Sequence, residues 1–268
     1  MLFDSEPQPG EPEFDRALRP GSFEDFIGQR HVCDNLQIAI QATKARDEPL
    51  DHVIFAGPPG LGKTTLAHLI AVELGSEIIV TSGPALAAPR DLMGTLTRLQ
   101  RGDVLFVDEI HRLPRTVEEY LYSAMEDQAI DVVLDPGPAG RSVRLTLAPF
   151  TLVGATTREG LLSGPFRSRF GLIERLEPYP DADIEAILHR AAERLGFPID
   201  ADASTTLAAR SRGVPRIALR IQRRARDLAQ VRGEDHITRS LAIECMDRLG
   251  VDELGLESSD RKLLKALI

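Results

Sequence analysis

The run His52 to Gly75, HVIFAGPPGLGKTTLAHLIAVELG, constrains this chain more than any other. A β-rich apolar segment enters a glycine-rich turn and a helix-period segment leaves it, so strand, loop and helix N-terminus must follow in immediate succession. Inside it, GPPGLGKT from Gly57 to Thr64 fits the spacing G-x-x-x-x-G-K-[ST]. Glycines let successive backbone N–H groups turn toward an anion, and the helix N-terminus adds partial positive charge. That geometry predicts phosphate binding, with Lys63 reaching the β- and γ-oxygens and Thr64 ligating Mg²⁺. A chance glycine turn would require neither flank.

Phosphate binding alone fits a kinase, a switch or a motor, and a second acidic stretch separates them. In DVLFVDEI an apolar strand delivers Asp108 to its end, where it can serve the Mg²⁺ shell. Glu109 follows, where a carboxylate can orient and deprotonate water, so hydrolysis is the expected reaction. Two acids ending a strand is the blander alternative. No N-K-x-D segment exists to read guanine, which favours adenine and hence ATP.

FTLVGATTREG is a further buried strand, ending in Thr156 and Thr157, whose hydroxyls could sense the γ-phosphate or merely close a turn. GPFRSRFG presents Arg167 and Arg169, either surface salt-bridging or an arginine offered to a neighbouring subunit's nucleotide. Arg216, in GVPR, offers a cation from within the same subunit.

The strand candidates HVIFAG, EIIVTSG, DVLFVDE and FTLVGATT are nearly continuous in apolar residues, which predicts a parallel sheet buried on both faces. Thr116 and Glu119 fit a capping box opening VEEYLYSAMED, and Gly75 fits a helix end. Beyond Pro180 strands give way to three helical faces: Ile184, Ile187, Leu188 and Ala191; Ile217, Ile221, Ala225 and Leu228 behind Pro215; and Leu241, Cys245, Met246 and Leu249. The expected organisation is a flexible, Pro- and acid-rich arm over 1–20, an α/β unit over 21–179, a helical lid over 180–252, and over 253–268 the start of a third unit. For that last piece, the apolar stripe of SSDRKLLKALI calls for something to pack on.

A length of 268 residues allows two packed units, and the 43% hydrophobic, 27% charged composition is that of a globular protein. Neither an 18-residue apolar run nor a basic, apolar leader is present, so a cytoplasmic protein without membrane contact is expected. Cys33 and Cys245 lack partners at metal-ligand spacing and read as buried, inert thiols. A net charge of −9 argues against coating nucleic acid by bulk attraction. Locally, Leu207 to Arg232 holds eight Arg against one acid, Asp227, either a solvated helix face or a functional one.

Together these residues resemble the AAA+ ATPases, and among them the RuvB family of Holliday-junction branch-migration motors. The resemblance runs from about Leu18 and rests on LRP (18–20), FEDFIGQ, LDHVIFAGPPGLGKTTLAH, VTSGPAL, RGDVLFVDEIHRL, YSAMED, PFTLVGATTREGLLSGPFRSRFG and SRGVPRIALR. It implies a P-loop NTPase sheet, a helical lid, a winged-helix unit of which only the first helix would lie in this sequence, and a homohexameric ring on DNA. In that family Leu18, Arg19 and Ile27 would border adenine, with Tyr179 touching base or ribose. Gly60, Gly62, Lys63, Thr64 and Thr65 would hold phosphates, Asp108 and Glu109 would serve Mg²⁺ and water, and Thr157 would be the first sensor. Arg169 would enter a neighbour's site, Arg216 would be the second sensor, and Glu126, Asp127 and Gln128 would lie near the subunit boundary, Gln128 replacing the family's usual aromatic. The alternating runs around Asp135-Pro136-Gly137 read as a projecting hairpin over 129–147. Its Ile130, Val132, Val143 and Leu145 would dock on RuvA or pack on the parent domain; the resolvase RuvC would be an indirect partner. A clamp-loader-like AAA+ machine and a nucleotide-gated interaction switch are the rival expectations.

Overall fold

A computed structural model describes residues 18–133 and 142–267. In chain order the elements are α1 (Arg30–Arg46), β1 (Val53–Ala56), α2 (Lys63–Leu74), β2 (Ile78–Ser82), α3 (Pro89–Leu96), β3 (Val104–Asp108), α4 (Arg115–Asp127), β4 (Ala129–Val133), β5 (Ser142–Thr146) and β6 (Thr151–Thr156). After these come the one-turn α5 (Gly164–Arg167), β7 (Leu172–Arg175), α6 (Asp181–Leu195), α7 (Ala201–Arg210), α8 (Pro215–Arg232), α9 (Arg239–Arg248) and α10 (Ser258–Leu267).

Five strands form one sheet in the order β2-β3-β6-β1-β7, each pairing parallel. Alternate residues point to opposite faces, and both faces are filled. Val53, Phe55, Val104, Phe106, Val153 and Ala155 join one cluster with α1 and α2, which continues through Tyr179 into the lid helices. Ile54, Ala56, Leu105, Val107 and Leu152 join a second cluster with α3 and α4. The insertion of β6 between β1 and β3 has the main functional consequence. It brings the ends of three strands, Ala56, Asp108 and Thr156, to one edge of the sheet.

Several local expectations change. Pro114, not Thr116, takes the N-cap of α4, and no side chain caps it; Thr116 lies within the helix. Gly75 does close α2, at φ 70°, and Pro215 opens α8. The lid contains a fourth helix, α7, which packs through small residues such as Ala203 and Ala208. Residues 1–17 of the expected arm lie outside the described residues, whereas Leu18 is buried and Arg194 donates to the carbonyls of Leu18 (3.1 Å) and Arg19 (2.8 Å).

The hairpin β4–β5 pairs antiparallel in the register Ile130↔Leu145 and Val132↔Val143; its Asp135-Pro136-Gly137 turn lies outside the described residues. Ile130 is buried in the second cluster, with Val132 and Leu145 packed against it, so the parent domain takes these three and Val143 remains exposed. The Arg-rich stretch is not simply a solvated face. Arg220 is buried, and Arg212, Arg224, Arg226 and Arg232 pair with Asp260, Asp227, Asp227 and Glu244 respectively. No described helix is long and apolar enough to cross a membrane. Helix α10 has no buried residue and exposes Leu263, Leu264 and Leu267.

Candidate nucleotide site

A cleft of about 1530 Å³ opens where these strand ends meet the lid. The loop after β1 turns on Gly57, Gly60 and Gly62, at φ 141°, 82° and 101°, a path that L side chains rarely follow. A Cβ on Gly60 would also meet Val214 Cγ1 at 2.8 Å and Arg216 Cβ at 3.0 Å, so the loop lies directly against the start of α8. The Arg216 N–H donates to Gly60 O at 3.4 Å, a direct link from lid to loop.

Lys63 is buried at the first turn of α2 and donates to the carbonyls of Gly57 and Pro58, both at 2.8 Å. Burial pushes its pKa down, while the charges of Asp108 and Glu109 push it back up. Asp108, at the end of β3, is raised chiefly by burial; its Oδ1 accepts the Glu109 N–H at 2.9 Å, and Lys63 opposes the rise. Lysine and aspartate thus face one cleft and feel each other's charge. The donor set suits a triphosphate: an ammonium held by the loop's own carbonyls, and a helix N-terminus beside it. Thr64 and Asp108 share the cleft and offer the hydroxyl and carboxylate that Mg²⁺ takes.

Glu109 has φ 48° and ψ 45°, a left-handed backbone that disfavours a side chain. Such strain persists where surrounding structure fixes it, as at functional sites. Its Oε2 accepts the Thr157 hydroxyl at 3.1 Å and stands 3.3 Å from His111 Nε2. Thr156 is fully buried, and its Oγ1 lies 2.9 Å from His111 Nδ1. The two threonines therefore part company: only Thr157 faces the cleft. Burial holds His111 below its ordinary pKa.

Thirteen expected residues line this cleft: Leu18, Arg19, Ile27, Gly60, Gly62, Lys63, Thr64, Thr65, Asp108, Glu109, Thr157, Tyr179 and Arg216. Tyr179 is buried at the mouth of the lid and donates to Leu61 O at 3.0 Å. Arg169, Glu126, Asp127 and Gln128 are not among the lining residues; they form a separate group. Arg169 donates to Tyr122 Oη, lies 4.6 Å over that ring, and pairs with Glu126 at 2.9 Å. Asp127 pairs with Arg144 at 3.0 Å, and Gln128 ends α4 at φ 50°. Arg167, by contrast, lies 3.8 Å from Glu159. Sequence reasoning missed His111, Tyr122 and Arg190; His111 and Arg190 line the cleft, and only their fold neighbours distinguish these residues from ordinary polar ones.

A phosphate loop whose neighbouring acid pair arrives on β3, with β6 between them and a lid helix bonded to the loop, defines an ATP-hydrolysing P-loop enzyme of the AAA+ class. Within that class the chain belongs to the RuvB family. The model of the Holliday junction DNA helicase RuvB P-loop domain matches residues 18–176, and that of the RuvB AAA lid domain matches 179–252. The chain is 53% identical over 267 residues to the Holliday junction branch migration complex subunit RuvB of Pelodictyon phaeoclathratiforme, covering 100% of this chain and 78% of that protein. It is 54% identical to the subunit of the same name from Myxococcus xanthus, covering 97% and 76%. The solved Thermotoga maritima RuvB Holliday junction branch migration motor superposes with a TM-score of 0.84 at 49% identity, over 94% of this chain and 80% of that one.

Proposed function

We propose that this chain is the motor subunit that drives branch migration of Holliday junctions. It assembles as a homohexamer, hydrolyses ATP at subunit boundaries, and moves duplex DNA away from a junction held by RuvA, on which RuvC then acts. The observation that carries this reading is the division of the expected residues into two groups. Lys63, Asp108, Glu109, Thr157 and Arg216 share one cleft, whereas Arg169, Glu126, Asp127 and Gln128 lie outside it. A group needed for turnover but absent from the protomer's own cleft suits a shared site completed by a neighbour.

In the cleft Lys63 exchanges the Gly57 and Pro58 carbonyls for phosphate oxygens, which are stronger acceptors. Thr64 and Asp108 would hold Mg²⁺, which when bound neutralises charge developing on the phosphoryl group. Glu109 takes the proton from the attacking water, while Thr157 reports the γ-position through its bond to Glu109. Arg216 carries that state into the lid, since its own N–H bonds Gly60 O. A change in lid angle follows. The exposed Val143 of the β4–β5 hairpin supports a docking role for its outer face toward RuvA. The exposed leucines of α10 support reading that helix as the first of a DNA-binding winged-helix unit.

Glu109→Gln tests the assignment: ATP binding should persist while phosphate release and RuvA-dependent junction unwinding stop. Continued hydrolysis would remove Glu109 as the base. Hydrolysis without conversion of a four-way junction to duplex products would instead favour a clamp-loader-like machine.

A further inference from the structure

The Glu109 carboxylate meets more than the cleft threonine: His111 Nε2 stands 3.3 Å from it, and from the other ring nitrogen a hydrogen-bonded chain leads into the core. The Arg158 N–H donates to Thr156 Oγ1 at 3.0 Å, and that oxygen lies 2.9 Å from His111 Nδ1. Thr156 is fully buried in β6, so its hydroxyl proton has to be satisfied within the protein. His111 Nδ1 is the acceptor at hand. With Nδ1 accepting, the ring proton sits on Nε2, which stands 3.3 Å from Glu109 Oε2. The opposite tautomer would turn an Nε2 lone pair on a carboxylate oxygen, a repulsive arrangement in a half-buried site.

Oε2 therefore accepts from the Thr157 hydroxyl and has the Nε2 edge of His111 3.3 Å away, so two side chains fix where the carboxylate stands. The ring is almost fully buried, at 7% side-chain exposure, so its orientation is set by packing as well as by Thr156. We propose that His111 is a positioning residue for Glu109, and that the buried Thr156 acts only through it, fixing tautomer and ring plane. The two adjacent threonines then serve the same carboxylate by different routes. This rests on Glu109 being the base, and it assigns work to a cleft-lining residue that the sequence did not single out and to a buried one behind it.

The test is a double-mutant comparison on the full ATPase, with steady-state kcat and KM for ATP and thermal unfolding of each variant. His111→Ala should lower kcat about tenfold to a hundredfold with KM for ATP nearly unchanged, the signature of a misplaced base rather than lost binding. Thr156→Val should fall in the same direction and Thr156→Ser should recover, since only the hydroxyl matters. The double variant His111→Ala/Thr156→Val should be no slower than His111→Ala alone, a non-additivity that two independent packing defects would not give. His111→Gln, which restores an N–H donor at similar reach, should regain much of the loss and guards against a folding defect in the alanine variant. Parent-like kcat in His111→Ala, multiplying losses in the double variant, or no recovery in Thr156→Ser would overturn the proposal. Glu109→Gln run in parallel separates the two readings. If it still hydrolyses ATP, the base assignment fails. If it is inactive while His111→Ala is not, only the positioning role fails.

Discussion

Gly83→Ala probes how tightly the acidic turn is held. Gly83 follows β2, whose last residue Ser82 pairs with Asp108, so it lies beside the turn that presents Glu109. A Cβ there would lie 2.5 Å from Glu109 O, 3.2 Å from Leu113 N and 3.3 Å from Arg112 C. All three are main-chain atoms of one short turn, and no flexible side chain can yield in their place. Ordinary contact begins near 3.4 Å, so the turn must retreat by about 0.9 Å. A displacement of about 1 Å at a reacting group costs on the order of 10² in rate. Overpacking of this kind also costs roughly 1–3 kcal/mol of stability. Gly83 does not line the cleft, so ATP affinity should hold while kcat falls about a hundredfold. Phosphate-release kinetics with a urea titration reads both numbers. Gly94→Ala is the control, because a Cβ at that helical glycine meets nothing within 4 Å and should be neutral or stabilising by up to about 1 kcal/mol. A folded Gly83→Ala protein with kcat within about threefold of the parent, or a rise in KM matching the fall in kcat, would refute the reasoning.

Arg169→Ala should bind ATP yet lose most hydrolysis, with partial recovery when mixed with Glu109→Gln subunits; undiminished turnover by dilute monomers would contradict a shared site. Glu159 accepts both Arg175 Nε (2.8 Å) and Nη2 (3.0 Å), which holds its pKa below the usual 4.5. Its stabilising contribution is therefore present above 4.5 and lost as pH falls through the lowered value. Glu159→Gln should accordingly unfold at a lower temperature than the parent near neutral pH, with the gap closing in acid; a gap that widens in acid would reverse the sign. Burial pushes both the Cys33 and Cys245 thiols up to about 11. Neither should react with a thiol reagent at pH 8 until the protein unfolds, and prompt modification of the native protein would contradict their placement.

What the sequence made legible follows from how strongly each residue's role is written into its neighbours. The strands β1, β3 and β6 are apolar on both faces, and their loops carry glycine or paired acids, so the phosphate loop and acid pair could be located from the chain alone. Strand β7 escaped because Leu172–Arg175 holds two charged residues in four; β1 recruits it as an edge, and Asn35 donates to the otherwise buried Glu174 at 3.1 Å. Helix α7 escaped because Ala, Ser and Thr dominate it and few large side chains mark its packed face. The capping pattern at Thr116 failed because Pro114, two residues earlier, already fixes φ at −59° and ends the preceding turn.

His111 was hidden for a different reason. It follows Glu109 by two residues on a short turn, but its partner Thr156 is 45 residues away, and nothing local couples them. The coupling is a property of strand order: had β6 formed at the sheet edge rather than between β1 and β3, neither Thr156 nor Thr157 would reach this turn. The same insertion that sets Thr157 in the cleft with the phosphate loop therefore also brings Thr156 to His111, the proposed second anchor of Glu109. The glycines and lysine of the loop are local in sequence and can be read as a motif. The surroundings of Glu109 come from long-range pairing, and only the fold reveals them.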